Sequence, residues 1–434
     1  MRFDITKNTA PKMPNLGKGT EIIQLLLTQT SKDMREPIVP MLFPVLGAHI
    51  SNSQFMYPDN SWKEMCGEMA NLVAESGCNK GQLSNLVEAI NRDFRKHDDE
   101  ELKKLVEWSR LVKSKSSNKD KPDHPDVAIW FPPADVTNAA FIQNAMACEA
   151  LGGHTQYLNL PEVEMADSIC GGHKKMSQIM RNIFDRTRSG ALRATADGVT
   201  GNPILRVNIT FSSTPYAARS FFKRDIKNGT FGRIVCSYKA RTVRVGRIPR
   251  QGKYTDEFFE KLDGFISRLE SCKGRFIIKP LNKLADRLAV DMADLGDLTD
   301  DDDLWDMSKR SIINAWKAGC IMWVLNNQTW TRAMGEIVEW LVYHDLWSKI
   351  QVFADLIDNE NGTLSEAQRR GPKNMLDRLP NTFNEAELEA LRKSLGKTDG
   401  SAKNQLYKWA HREFVTYNKQ TGLYTKTEKY LKGV

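Results

Sequence analysis

Short apolar runs alternate with amphipathic segments between about residue 54 and residue 240, and this alternation restricts the fold more than any other feature of the sequence. The apolar runs are NLVA (71–74), VAIWF (127–131), TQYLNL (155–160), ILRVNITF (204–211) and GRIVCSYK (232–239). Helical spacing is found between them, as in GQLSNLVEAINRDF and NAAFIQNAMACEAL. Strands that alternate with helices pair in parallel, since each crossover returns the chain to the same end of the sheet. The sequence therefore predicts an α/β domain.

The regions on either side of this domain show a different pattern. Residues 1–53 contain helical segments that are too apolar to stand alone, and 276–365 carries tryptophans at helical spacing. We predict a helical region at 1–53, an α/β core at 54–275 and a helical domain at 276–365. The tryptophans are interpreted as core residues, with a base-stacking platform as the alternative. The acidic run at 300–303 suits the start of a helix better than a metal site.

The tail, residues 371–434, has the pattern of an independent unit. GPKNMLDRLP predicts a short helix, Asn384 and Glu387 form a capping box for a second helix, and AKNQLYKWAHR predicts a third. Two alternating segments around NKQTG predict a terminal hairpin. This is the order of a winged helix, whose third helix enters the major groove. The residues predicted to contact DNA are Lys403, Gln405, Lys408, Arg412 and Lys419.

Positive charge is concentrated in two stretches, although the net charge is only +8. Residues 171–253 contain eighteen lysines and arginines against three acids, and 403–434 contain seven against two. Such segregation indicates a polyanionic partner, most plausibly nucleic acid, with solvated surface charge as the alternative. Six residues are predicted to line a channel for single-stranded DNA: Lys174, Lys175, Arg181, Arg186, Arg188 and Arg193.

Cysteine and histidine are scattered along the chain, with seven of each and no CxxC pair. This spacing argues against a disulfide framework and against a zinc site. No run of about 18 apolar residues predicts a membrane span, so a cytoplasmic protein is expected.

The segment NLVAESGCNKGQ resembles a phosphate-binding loop, in which backbone N–H groups wrap the phosphates and a lysine neutralises them. Lys80 occupies the position of the motif's lysine, but Ala74 and Asn79 occupy positions where glycines are usual. Gly81 occupies the position of the serine or threonine whose hydroxyl binds magnesium. Asn79 can still turn the loop because asparagine tolerates left-handed backbone. The predicted nucleotide-binding residues are Ser76, Gly77, Cys78, Asn79, Lys80, Gly81 and Gln82.

Polar residues at the ends of later strands fit the same chemistry. Glu162 and Glu164 follow a strand and are candidates to hold magnesium, with Glu162 also placed to orient water; surface carboxylates are the alternative. The strand end Ser212–Thr214 is a candidate γ-phosphate sensor. Arg233 precedes a strand, as either an intersubunit arginine finger or a phosphate-contacting arginine.

Taken together, ESGCNKGQ, YLNLPEVEMAD, FDRTRSGALRATADGVTGNP, NGTFGR and the tail resemble the blocks of a family of uncharacterised RecA-like P-loop ATPases of bacterial mobile elements and prophages. The family is similar in layout to plasmid replicative helicases and primase-helicases. The resemblance covers nearly the whole chain and implies a RecA-like core at 54–275, ATP and Mg²⁺, and a hexameric ring. It also implies a role in replication or transfer of the element, with a primase as a possible partner. The chain differs from the family's pattern at Asn79, Gly81 and Pro161. These differences bear on catalytic turnover more than on the fold.

Two hypotheses follow for function. The first is an ATP-dependent DNA helicase or translocase that holds single-stranded DNA in the core and duplex DNA at the tail. The second is a non-hydrolysing DNA-binding or replication-initiation protein whose core only assembles into oligomers. A nuclease or recombinase lacks support, since the sequence shows no acidic triad, catalytic histidine pattern or tyrosine motif.

Overall fold

The secondary structure is known from a computed structural model that describes residues 5, 9–114, 122–173, 176–190, 199–223, 229–240, 248–357, 373–397 and 400–432. Its strands are β1 (Asn52–Met56), β2 (Trp62–Lys63), β3 (Met69–Ala74), β4 (Gln156–Leu160), β5 (Val207–Ser213), β6 (Val235–Lys239), β7 (Lys273–Phe276), β8 (Thr382–Phe383), β9 (Val415–Asn418) and β10 (Leu423–Lys426).

The helices flank and connect these strands. They are α1 (Glu21–Leu27), α2 (Arg35–Ala48), α3 (Gly81–Ile90), α4 (Arg92–Ser114), α5 (Asn138–Ala150), α6 (Met176–Asp185), α7 (Pro215–Phe222), α8 (Asp256–Ser271), α9 (Lys279–Thr299), α10 (Asp302–Leu325), α11 (Arg332–Ile357), α12 (Glu385–Ser394), α13 (Ala402–His411) and α14 (Glu428–Lys432). Among the described residues, no helix is both long enough and apolar enough to cross a membrane.

The central sheet has four parallel strands in the order β4-β5-β3-β6. β3 and β5 are buried at every position, because neighbouring strands and helices cover both of them. The apolar helix α2 packs against β3, β5 and β6, and α11 packs against β6. The prediction of an α/β fold with a parallel sheet is confirmed.

The segment VAIWF differs from its prediction, since residues 127–131 form no strand. The N–H of Ile129 donates to Asn144 Oδ1 at 2.8 Å, and those of Trp130 and Phe131 donate to the Asp98 carboxylate at 2.8 and 2.7 Å. Side chains therefore accept hydrogen bonds from backbone N–H groups that would otherwise donate to a neighbouring strand. One bond, from Tyr157 N to the Trp130 carbonyl, keeps the segment beside β4.

A second sheet, β2-β1-β7, was not predicted. β1 pairs with β7 in parallel and with β2 in antiparallel. Its strands are short, and β7 is mostly exposed, so the sequence lacks the apolar run by which the central strands were recognised.

The helical region after β7 forms one hydrophobic core with the regions before it. The cluster of buried residues extends from Ile5 to Phe353. Trp316, Trp340 and Trp347 lie within it, as their interpretation as core residues predicts. Asp301 caps α10 by accepting from Leu304 N at 2.8 Å, as expected for the acidic run.

The tail has a separate hydrophobic cluster, which includes Leu298 of α9 and residues from Met375 to Val415. The capping box of Asn384 and Glu387 is present, and α12, α13 and the β9–β10 hairpin were predicted. The first predicted helix is only the 3₁₀ turn Leu376–Arg378, because Pro380 follows within two residues. Strand β8, which pairs with β10, and helix α14 were not predicted.

Candidate functional site

The carboxyl ends of the four central strands meet at one edge of the sheet. Ala74 lies opposite Lys239, and Val73 lies opposite Ser213. The predicted loop after β3, the predicted sensor after β5 and the acidic segment after β4 therefore share this edge, which is where open α/β sheets bind ligands. We call it the carboxyl edge.

The loop between β3 and α3 makes a compact turn. Cys78 N donates to the Glu75 carbonyl at 3.3 Å. Gly77 and Asn79 have φ of 80° and 56°, so the expectation that Asn79 adopts left-handed backbone is confirmed. A Cβ added at Gly77 or Gly81 would meet no heavy atom within 4 Å, which leaves open space above the loop.

The amino end of α3 is available to an anion. The helix has no side-chain cap and no acidic residue in its first turn. The first N–H groups of a helix carry partial positive charge and bind phosphates readily. In α3 two of them, those of Gln82 and Leu83, also donate to the Asn79 and Lys80 carbonyls at 3.2 and 3.0 Å. Lys80 lies at this end, and its Nζ donates to the Ala74 carbonyl at 3.2 Å across the loop. A phosphate held at α3 would lie beside a lysine.

The position that usually supplies a magnesium-binding hydroxyl is Gly81, and its neighbour Gln82 does not replace it. Gln82 is buried, its Oε1 accepts from Ser31 N at 2.8 Å, and its Nε2 donates to Ser31 Oγ at 3.0 Å. The Gln82 side chain thus fastens the segment before α2 to α3. Its side chain is therefore engaged away from the loop, and its N–H donates to the Asn79 carbonyl at 3.2 Å.

A polar network beside the loop was missed by the sequence analysis. Ser31 Oγ donates to Asp33 Oδ1 at 2.7 Å, and Lys239 Nζ lies 3.3 Å from Asp33 Oδ2. Burial acts to raise the pKa of Asp33, but these two partners outweigh it and the pKa is lowered. Lys239, the last residue of β6, is therefore a second lysine at the carboxyl edge. The feature of the sequence that could have identified it is that the predicted strand GRIVCSYK ends in lysine.

Glu162 and Glu164 are exposed just beyond β4. Because β5 lies between β4 and β3, the strand that leads to Glu162 is about 10 Å from the loop strand. That separation leaves room for phosphate groups, a cation and water between Lys80 and the two carboxylates.

The predicted sensor residues have local partners. Ser213 Oγ donates to Asn71 Oδ1 at 3.0 Å, and Thr214 Oγ1 caps α7 by accepting from Ala217 N at 3.2 Å. Both roles hold the end of β5 in place. Ser212 and Ser213 are buried within the sheet, and Thr214, which follows β5, is half-buried.

Arg233 is not brought to the carboxyl edge. It ends the 3₁₀ turn Phe231–Arg233 just before β6, and so lies at the amino ends of the parallel strands. Its Nη2 contacts Asp185 Oδ2 at 2.7 Å, and its Nη1 donates to the Gly229 carbonyl at 2.7 Å. With 11% of its side chain exposed, Arg233 holds its own subunit together here.

The six lysines and arginines predicted to line the channel for single-stranded DNA are here called the basic block. Those that lie within the described residues have partners in the chain. Arg186 pairs with Glu64 at 2.6 Å, Arg188 Nη1 donates to the Asn202 carbonyl at 2.8 Å, and Arg181 contacts Thr230. Arg188 keeps 57% of its side chain exposed. Lys174, Lys175 and Arg193 lie outside the described residues.

The predicted DNA-contacting residues of the tail divide into two groups. Gln405, Lys408 and Arg412 face α9: Gln405 donates to the Asp297 carbonyl, Arg412 Nε contacts Asp297 Oδ2 at 2.8 Å, and Lys408 lies 3.7 Å from Asp300. Their contacts dock α13 on the acidic end of α9. Lys403 and Lys419 are exposed.

Tyr407, on the free face of α13, is 74% exposed. This aromatic side chain lies on the same exposed surface of the tail as Lys403. The sequence analysis did not select it.

These observations define a mixed α/β protein with a parallel four-stranded sheet, a loop and helix suited to an anion, and a small tail unit docked on α9. The sequence matches no protein-family model and none of the curated proteins with which it was compared.

Proposed function

We propose that this chain is a RecA-like P-loop ATPase that acts on DNA as a helicase or translocase in the replication or transfer of a mobile element. The observation that carries the proposal is the uncapped amino end of α3, which follows a left-handed loop and has Lys80 beside it. ATP would place its phosphates there, with Lys80 neutralising the β and γ groups.

Glu162 and Glu164 supply the carboxylates that the proposal needs. Mg²⁺ in nucleotide sites is held by one or two carboxylates together with phosphate oxygens and water. Both glutamates are exposed at the carboxyl edge, where Glu162 would also orient the attacking water. An arginine finger from Arg233 would require its ion pair with Asp185 to break first.

The proposal includes a hexameric ring in which the basic block of each subunit faces single-stranded DNA. Arg188 supports this orientation, because its side chain is 57% exposed and could contact DNA. A primase is a possible partner. Native mass measurement of the full chain, with and without ATP, tests the ring: six copies are expected, and a monomer under both conditions contradicts it.

A winged helix at the tail would engage duplex DNA. The sheet order β8-β10-β9, with α12 and α13 between β8 and β9, supports this assignment. Docking of one face of α13 on α9 leaves Lys403 and Tyr407 on the outside, where a groove of DNA can be reached.

A second candidate is favoured by one observation. Gly81 offers no hydroxyl and the Gln82 side chain is committed to Ser31, so the loop lacks its usual magnesium ligand. This supports a non-hydrolysing DNA-binding or replication-initiation protein that uses its core only for assembly.

An ATPase assay distinguishes the two candidates. If the chain is a translocase, the purified full chain hydrolyses ATP and single-stranded DNA raises the rate. If it only assembles, no phosphate is released with any nucleic acid. Hydrolysis that single-stranded DNA accelerates would falsify the second candidate, and no hydrolysis under any condition contradicts the first.

The exposed lysines of the tail provide a separate test. We expect the double variant Lys403→Ala/Lys419→Ala to bind duplex DNA more weakly and to lower the slope of log affinity against log salt by about two, since each lost phosphate contact removes about 0.9. Fluorescence anisotropy at several salt concentrations measures both.

Lys261→Ala is the matched control, because Lys261 is exposed on α8 and its ion pair is with the exposed Glu257. Its slope should equal that of the wild type. If the double variant also keeps the wild-type slope, the tail does not contact duplex DNA through these residues and is better explained as a protein-docking unit.

A further inference from the structure

Three side chains from distant parts of the sequence converge on one point away from the carboxyl edge. His49 follows the last residue of α2, Asp93 lies in the first turn of α4, and Glu270 lies in the last turn of α8. His49 Nδ1 is 3.3 Å from Asp93 Oδ2 and 3.8 Å from Glu270 Oε1. One donor atom from each of the three lies within 4.8 Å of the others.

The cluster contains buried polar atoms that lack hydrogen-bond partners. The His49 side chain is fully buried, and its Nδ1 has no hydrogen bond within the described part of the chain. By hydrogen-bond geometry the same holds for both carboxylate oxygens of Asp93, although burial, which acts to raise the Asp93 pKa, is outweighed by the nearby His49 and Phe94 N–H, so that this pKa is lowered. Such atoms cost free energy unless something pairs with them.

Asn91 determines which ring nitrogen of His49 carries the proton. Asn91 Nδ2 donates to the Val87 carbonyl at 3.1 Å, so its Oδ1 is the atom that lies 3.2 Å from His49 Nε2. Because Oδ1 can only accept, Nε2 must be the protonated nitrogen. In a neutral ring the lone pair on Nδ1 then points at two carboxylates. This repulsive arrangement requires a positive charge between them.

A proton on Nδ1 is one way to supply that charge. Burial acts to lower the pKa of His49, but Asp93 and Glu270 outweigh it and the pKa is raised. However, charge-assisted hydrogen bonds are normally about 2.7–2.9 Å long, and both distances here are longer.

A metal ion accounts for these separations better. Zinc binds nitrogen and carboxylate oxygen at about 2.0–2.2 Å with tetrahedral angles, which puts neighbouring donors about 3.4 Å apart. The two separations from His49 Nδ1, 3.3 and 3.8 Å, lie on either side of that value, and the third, between the Asp93 and Glu270 oxygens, is within 4.8 Å. The second ring nitrogen of a metal-bound histidine usually donates to an oxygen, as Nε2 does to Asn91.

We propose that His49, Asp93 and Glu270 form a binding site for a divalent transition-metal ion of the zinc class, with water completing the coordination. Two carboxylates and a neutral imidazole balance the charge of a divalent ion. Glu270 is 45% exposed, so the ion can enter from solvent.

This site is distinct from the proposed nucleotide site. It lies beyond the carboxyl end of α3, whereas the loop precedes the amino end, and the ten residues of α3 separate the two by about 15 Å. The ion would link α2, α4 and α8, which are contributed by three separate parts of the chain. Its expected role is to stabilise the fold.

Zinc content tests the proposal without any nucleotide. The full chain, without a histidine tag, is stripped with a chelator, incubated with zinc chloride and passed over a sizing column, and the metal is measured by mass spectrometry. About one zinc ion per chain is expected for the wild type, and less than about a tenth of that for His49→Asn and Asp93→Asn. Zinc should also raise the melting temperature of the wild type but not that of either variant.

The control variant is His124→Asn, which removes an exposed histidine and should leave zinc content and the melting shift unchanged. Glu270→Gln is included in case a buried substitution prevents folding, since its partly exposed carboxylate tolerates change, and it should bind zinc at least tenfold more weakly. Equal zinc affinity of the wild type and Glu270→Gln, measured by competition with a zinc-binding dye, or no zinc in the wild type, overturns the proposal and leaves a protonated His49 as the explanation. Failure of the proposed ATPase would not affect these results.

Discussion

Replacing Lys80 with alanine is expected to weaken ATP binding by about 10- to 100-fold and to lower any ATP turnover by about 10²- to 10³-fold. The ammonium group lies over the loop at the amino end of α3, where the phosphates would bind. A hydrogen bond to a charged group contributes about 1.5–3 kcal/mol to binding. Removal of one donor to charge that develops in a transition state costs about 10²–10³ in rate.

Binding is measured with a fluorescent ATP analogue, and turnover by phosphate release with single-stranded DNA present. Lys103→Ala is the matched control, because Lys103 is exposed on α4 and its ion pair is with the exposed Glu100. It should behave as the wild type does. If Lys80→Ala binds ATP as tightly as Lys103→Ala, the loop after β3 is not the nucleotide site.

Replacing Asp345 with alanine is expected to reduce the free energy of unfolding by about 3–5 kcal/mol. The Asp345 carboxylate is buried between α10, α11 and β6, where it accepts from Cys236 N at 2.6 Å and from Ser311 Oγ. It also pairs with Lys349 Nζ at 2.8 Å, and Lys349 is fully buried. Removal of one partner of a buried ion pair leaves an uncompensated charge, which costs about that much.

Urea unfolding followed by tryptophan fluorescence measures the change, since the buried tryptophans lie mainly in the same core as Asp345. Asp306→Ala provides the comparison: Asp306 forms an exposed pair with Lys309 and should change stability by less than about 1 kcal/mol. Asp345→Asn keeps an acceptor for Cys236 N, so its loss of unfolding free energy should lie between those of Asp345→Ala and Asp306→Ala. Equal midpoints for all three would mean that Lys349 finds another partner.

The parallel sheet could be predicted because its strands are covered on both faces and therefore read as apolar runs. The end of β3 could be located in the same way, together with the turn at Asn79, because asparagine is one of the few residues that enter left-handed backbone. The capping box at Asn384 was also local information, since its two partners are three residues apart.

Prediction failed where a side chain's partner lies far away in sequence. VAIWF has the composition of a strand, but Asp98 and Asn144 take its donors. In the same way, nothing in the sequence indicated that Lys408 and Arg412, predicted to contact DNA, also lie beside Asp300 and Asp297 at the end of α9.

The scattered histidines argued against a metal site, because metal-binding motifs are recognised by short spacings. His49, Asp93 and Glu270 are joined only by the packing of α2, α4 and α8.

The sequence by itself thus determined the class of fold, the course of the central strands and the position of the loop that carries Lys80. These follow from hydrophobic periodicity and local backbone preference, which act over a few residues. The tertiary structure alone decided which polar and charged side chains already have partners within the chain. Arg233 is paired with Asp185 and the Gln82 side chain with Ser31, because hydrogen bonds and ion pairs depend on distances in space that the order of residues does not record.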